Sequence, residues 1–128
     1  MSSEPMIRRL GQLSINVHDI ARAAEFYRDV LGLRFLFAAG NLAFFDLGGV
    51  RIMLSRPESP EFDHPGSILY LDVADIPAAH RELATRGVHF ESDPHMVAQL
   101  ATSDLWMAFF RDTEGNMLAL QSEVARAG

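Results

Sequence analysis

Residues 11–35 read GQLSINVHDIARAAEFYRDVLGLRF, and residues 66–90 read GSILYLDVADIPAAHRELATRGVHF. Each is a short alternating run, then Val-x-Asp-Ile, then an Ala-containing amphipathic run, then a Gly and a Phe. Asp19 pairs with Asp75, Ile20 with Ile76, Ala23 with Ala79, Gly32 with Gly87 and Phe35 with Phe90. The downstream ends match as well. AFFDLGGVRIMLS (43–55) lies over FFRDTEGNMLALQ (109–121), aligning Gly49 with Gly115, Ile52 with Leu118 and Leu54 with Leu120. Chance similarity would not stay in register at both ends, so the chain is a tandem duplication. A duplicated strand–helix unit builds a cleft between its copies, and what the copies keep on the faces toward that cleft decides the function.

Within the first copy, Leu13, Ile15 and Val17 alternate with Gln12, Ser14 and Asn16 between Leu10 and Val17. That is a strand with one apolar and one polar face. Asp19 is placed to cap a helix running from about Ile20 to Leu31, and Gly32 stands where a left-handed C-cap belongs. Residues 35–37, 42–46 and 50–55 read as three short strands parted by turn residues. RPESPEFDHPG follows as a linker. The second copy repeats the order: a strand over 68–73, an Asp75-capped helix with Pro77 in its first turn, and a new strand beginning at Val88 to Glu91. A hairpin then turns at Asp-Thr-Glu-Gly-Asn. The expected architecture is α+β: two tandem βαβββ modules whose curved mixed sheets surround one cleft. It is a single domain over 1–128, with module 1 about 7–56, linker about 57–66 and module 2 about 67–123.

Composition narrows the function classes. The chain has 128 residues, 48% hydrophobic and 22% charged, which is the range of one folded domain. Without cysteine it has no disulfide or thiolate metal site, which fits a cytoplasmic location. A net charge of −6 argues against a nucleic-acid surface, no apolar run reaches membrane-span length, and MSSEPMIRRL lacks the order of a secretory signal. All eleven Lys+Arg positions are Arg, so no lysine Schiff base is available. A small organic molecule is the expected partner.

VHDIARAAEFYRDVLGL (17–33) and FRDTEGNMLAL (110–120) resemble two motifs of the vicinal oxygen chelate superfamily. These are Val-x-Asp-helix-Phe-Tyr-x-x-x-Leu-Gly-Leu and the Asp-Pro-x-Gly-Asn hairpin. That group includes glyoxalase I, bleomycin-resistance proteins, fosfomycin-resistance enzymes, methylmalonyl-CoA epimerase and extradiol dioxygenases. The resemblance covers nearly the whole chain. It implies paired βαβββ modules, commonly in a homodimer, and in the enzymes a divalent metal that chelates two neighbouring substrate oxygens.

The resemblance also implies where the metal ligands would lie: five residues before the Val of each Val-x-Asp, and in the last strand of each module. Here those positions are Gln12, Ile68, Met53 and Ala119. Ile and Ala have no donor atom, a Met thioether is a soft ligand, and one neutral amide does not hold a catalytic divalent ion. No metal and no cofactor is therefore expected at the family position. A displaced site remains open, with His95 as proton carrier or ligand beside Gln12. His95 lies in DPHMVAQLATSDLWMAFF, read as a long loop that lids the cleft, or else as a loop histidine capping carbonyls.

Strand phase assigns the cleft floor to Gln12, Ser14, Asn16, Arg51, Met53 and Ser55, with Ile68, Tyr70, Asp72, Met117, Ala119 and Gln121 from the second copy. The opposite phase is uniformly apolar and faces the helices. Arg51 either grips an anionic ligand group or pairs with Asp72. Trp106 either forms a stacking wall for the ligand or packs structurally. Phe109, Phe110 and Tyr27 read as packing. Three functions follow: a metal-free binder of a small amphiphilic molecule; a metal-dependent isomerase, lyase or dioxygenase using Gln12 and His95; and a subunit or regulator with a vestigial cleft. The first fits best, and whether the chain is an enzyme stays open.

Overall fold

Asp19 and Asp75 begin the two helices in the same way. Each takes an extended backbone and accepts a hydrogen bond from the amide three residues on, Arg22 N and Ala78 N, both at 3.1 Å. The computed structural model describes residues 6–57 and 59–126, with only the backbone of Phe62; Met1–Pro5, part of the segment read for a leader, and Glu58 of the linker lie outside these. Module 1 comprises β1 (Gln12–Asn16), α1 (Ile20–Glu25), β2 (Arg34–Ala39), β3 (Leu42–Leu47) and β4 (Val50–Ser55). Module 2 comprises β5 (Leu69–Asp72), α2 (Ile76–Thr85), β6 (His95–Gln99), β7 (Ser103–Arg111) and β8 (Met117–Ala125). A single 3₁₀ turn, Pro60–Phe62, interrupts the linker.

The sheets have matching orders, β1-β4-β3-β2 and β5-β8-β7-β6. In each, the first strand runs parallel to the last and the other pairs are antiparallel. The duplicated α+β architecture is therefore as the sequence implies. Among the described residues no helix is long and apolar enough to cross a membrane.

Two local departures have physical causes. Asp19 stands thirteen residues before Gly32, whereas Asp75 stands twelve before Gly87. The extra residue does not lengthen the connection. Phe26–Val30 form a π-helical turn in which Leu31 N bonds Phe26 O at 3.0 Å, absorbing one residue so that Gly32 still closes the helix at φ 77°. The helix expected over 20–31 is thus α only to Glu25. In module 2, the strand expected from Val88 is reduced to a single bridge, Phe90 to Phe110. The strand comes later, at His95–Gln99, inside the segment read as a lid. It is an edge strand with a bulge between Met96 and Ala98, and its backbone pairs with β7.

Both modules turn their apolar phase toward one shared core. Val17, Ala23, Tyr27, Phe45, Ile52 and Leu54 from module 1 join Ile76, Leu83, Phe110, Leu118 and Leu120 from module 2. Polar contacts lock the junction. Tyr27 donates to Asp112 at 2.8 Å, Asn116 Nδ2 donates to the Asn16 carbonyl at 3.0 Å, and Arg86 donates to the Val30 carbonyl at 2.9 Å. The other face of each sheet points away from this core and is open.

Candidate functional site

Strand pairing puts directly opposed residues on the same face, so the registers define what each open face carries. On module 1 they give three rows: Gln12, Arg51, Asp46 and Arg34; Ser14, Met53, Phe44 and Phe37; Asn16, Ser55, Leu42 and Ala39. On module 2 one row is Tyr70, Ala119 and Phe109, and the next is Asp72, Gln121, Met107 and His95.

The module 1 face is the more organised. Arg51 Nε donates to Gln12 Oε1 at 2.7 Å, and Gln12 Nε2 reaches Met53 Sδ at 3.8 Å. The Arg51 guanidinium carbon lies 5.1 Å from the centre of the Phe44 ring, which stacks on Phe37 at 4.5 Å and 29°. Arg51 and Phe37 are exposed and Phe44 is buried against its neighbours. A guanidinium held over an aromatic pair, with a fixed amide beside it, presents an anion-binding fork next to an apolar platform. Ser14 and Ser55 share a hydrogen bond at 3.1 Å. Asn16 is turned to architecture, donating to the His64 carbonyl at 3.1 Å while its own carbonyl receives Asn116.

On module 2, Tyr70 is 46% exposed and meets Phe109 edge-to-face at 6.3 Å. His95 lies beside Phe109, 6.4 Å between centroids, with Nδ1 3.0 Å from the Asp93 carbonyl. Asp72 is exposed, and the Arg51–Asp72 ion pair left open by the sequence is not formed.

The structure therefore gathers Gln12, Arg51 and Met53 into one cluster, and places Tyr70, Asp72 and His95 on the face of the other sheet. Two expectations need correction. Trp106 pairs with Ser122 and Met96, the phase of Ala108 and Phe110, so it points to the α2 side and not onto the open face. His95 belongs to an edge strand rather than a lid, and among the described residues no hydrogen bond joins it to Gln12. Sequence reading also missed three aromatic residues of these faces. Phe109 was assigned to packing, yet it alternates with Phe110 and so faces outward with Tyr70. Phe37 and Phe44 follow from running the Met53 phase across β3 and β2; the bulge between Phe35 and Phe37 hides this in the sequence.

The metal that the resemblance implies does not fit this donor set. Both ends of the Gln12 amide are engaged by Arg51 and Met53, the cationic guanidinium 2.7 Å away opposes a second cation, and Ile68 and Ala119 offer no donor atom. Among the described residues no group of three or more His, Asp or Glu is arranged to hold a metal ion.

One titrating group at the modules' junction stands apart. Burial, then the Asp112 carboxylate, pushes the Tyr27 phenol far above its ordinary range, so it remains a proton donor to Asp112. Tyr27 is 1% exposed and structural.

Comparison with known proteins agrees with this architecture. The structure of a glyoxalase/bleomycin resistance protein/dioxygenase superfamily member from Sphaerobacter thermophilus superposes with a TM-score of 0.78, at 26% identity over 93% of this chain and 100% of that one. TnmS3, an antibiotic binding protein from Streptomyces sp. CB03234, shares the fold at a TM-score of 0.75 and 20% identity, over 94% and 99% of the two chains. The metallothiol transferase FosB of Staphylococcus haemolyticus is 35% identical over 54 residues, which are 42% of this chain and 39% of that protein. The chain thus spans about two fifths of that relative's length. The family model of the Glyoxalase/Bleomycin resistance protein/Dioxygenase superfamily matches residues 9–120, and the chain belongs to that superfamily.

Proposed function

We propose that this protein binds a small amphiphilic organic molecule on its open sheet faces without a metal, as a homodimer whose second copy covers those faces. The observation that carries the reading is the Arg51–Phe44–Phe37 stack beside Gln12, at the position where the superfamily's enzymes keep metal ligands. The stack supplies apolar area and one directed cationic fork, the pairing that a compound with an aromatic body and an acidic or carbonyl-bearing end uses. Tyr70 and Phe109 add a second aromatic surface from module 2. The fold itself serves an antibiotic binding protein in TnmS3; the reading here rests on this chain's own residues.

The test is elemental analysis of untagged protein after zinc, nickel, iron and manganese reconstitution, followed by a thermal-shift ligand screen in chelator. The expected result is no metal near equimolar ratio, together with chelator-insensitive binding that Arg51→Ala weakens by about tenfold, the loss of a charge-assisted hydrogen bond. One metal per chain would overturn the reading in favour of metal-dependent isomerase, lyase or dioxygenase chemistry, and Gln12 and His95 would be the first residues to replace.

A further inference from the structure

The two modules differ most where the second is longer. β7 and β8 run nine residues each, whereas β3 and β4 run six. The extra length, still paired with β6, runs past the end of β5 beside the first turn of α2. Between hairpin and helix lies a cavity of about 710 Å³ on the helix side of the sheet, the face opposite the one that carries Ala119 and Phe109. That volume is in the range of small-molecule sites.

Internal comparison shows which residues make the cavity. The repeat places His80 where module 1 has Ala24, and Arg81 where it has Glu25. Ser122 stands where module 1 has Arg56. Trp106, paired with Ser122, stands where module 1 has Asn41, whose carbonyl accepts from Arg56 N. One copy has thus acquired a tryptophan wall, a histidine and a cation at positions that are small, acidic or amide in the other.

The walls are apolar: Ile76, Trp106 and Val124. His80 stacks on Phe90 at 4.1 Å, and its buried Nε2 has no hydrogen-bond partner, the nearest carboxylate oxygen, on Asp93, being 4.0 Å away. Two carboxylates lie near, one engaged by the helix it caps and the other turned to water, with a side chain 96% exposed. Asp75 caps α2 through Ala78 N, and Asp93 faces His80. Arg81 is exposed and has no hydrogen bond or ion pair among the described residues, so its charge is the one left to be complemented.

We propose that this cavity is a second small-molecule site, separate from the open sheet faces, which takes a flat aromatic anion: the ring system against Trp106, the acidic group on Arg81. A neutral aromatic of the same shape fits the walls and forgoes the charge contact.

The chain's only tryptophan is in the wall, so the protein has a single indole N–H resonance and it reports this cavity alone. The probes are anilinonaphthalene sulfonate, an aromatic anion, and phenylnaphthylamine, its neutral counterpart. Titration of the full chain with the anion should move the Trp106 resonance saturably. Arg81→Glu, at an exposed position without partners, should weaken the anion by roughly tenfold or more and leave the neutral probe within about twofold, because only the charge-assisted contact is lost. Arg51→Ala, on the open face, should change neither. A resonance that does not move, an Arg81→Glu titration equal to wild type, or a shift abolished by Arg51→Ala would each overturn the assignment. So would a Trp106 resonance closed to both probes in a dimer that Arg81→Glu dissociates, which assigns the face to a second copy.

Discussion

Tyr27 and Asp112 meet across the module junction, and the composition of the chain makes their bond unusually easy to measure. Asp112 also receives Glu114 N and Asn116 N at 2.8 Å and Asn116 Nδ2 at 2.9 Å, so it shapes the β7–β8 turn while it holds Tyr27. Tyr27→Phe deletes one bond to a buried carboxylate and is expected to cost about 2 kcal/mol by urea unfolding at neutral pH. The alkaline limb gives a second reading. The folded phenol titrates above its ordinary value of 10.0, because burial and the Asp112 charge oppose ionisation. Stability from Tyr27 is therefore complete below about pH 10 and is lost as pH rises beyond it, since only the unfolded chain can ionise there. There is no lysine or cysteine to titrate over this range, and Tyr70 is present in wild type and variant alike. Wild type should lose stability between pH 10 and 12 more steeply than Tyr27→Phe; equal slopes would place the phenol in contact with water.

At the scale of elements, the helices show how much of the molecule can be read before it is seen. Asp19 and Asp75 as caps, Gly32 as stop and the 112–116 turn are local signals, each set by a few neighbouring residues. The sheet orders follow because the copies must be alike. What could not be read is whatever depends on distant parts. Glu114 is the clearest case: from the module 2 turn it accepts the amides of His18 at 2.8 Å and Asp19 at 3.0 Å, closing the free N-terminus of α1 from across the junction. Nothing near residue 19 announces a partner 95 residues on. β6 escaped for a related reason: residues 95–99 mix polar and apolar side chains, and their strand identity comes from β7 alone. The π turn, by contrast, leaves a trace in the sequence, the one-residue difference between Asp19–Gly32 and Asp75–Gly87. Because Glu114 is 13% exposed and closes two amides, Glu114→Ala is expected to cost about 2 kcal/mol, against about 1 kcal/mol for the local cap in Asp19→Ala. If urea midpoints rank the two the other way, the junction is held by its apolar core and the cross-module cap is incidental.

At the scale of the whole molecule, the shared core leaves an apolar surplus on the outside. Phe37 and Tyr70 are both more than 40% exposed, and all six residues of edge strand β2 are open. Exposed aromatic edges invite pairing, and natural sheets blunt them with charge or cover them. β2 carries a single charged residue, Arg34, over its six positions, so cover is the better account. On the proposed reading a second copy would supply that cover with closed symmetry, one chain's open face set against the other's, turning two shallow aromatic surfaces into a walled site. The sequence could assign residues to faces by phase, but whether a face meets solvent, ligand or protein is set by the assembly and leaves no periodic trace. Light scattering on the purified chain should then give twice the 14.2 kDa of one chain. Phe37→Asp, on the aromatic stack and clear of the shared core, should lower the mass toward that of one chain while far-ultraviolet circular dichroism stays unchanged. Arg51→Ala should leave the mass alone and weaken only the ligand. A wild-type mass of one chain at micromolar concentration would mean that each sheet holds its ligand unaided, and binding would then have to survive in a chain carrying only one intact face.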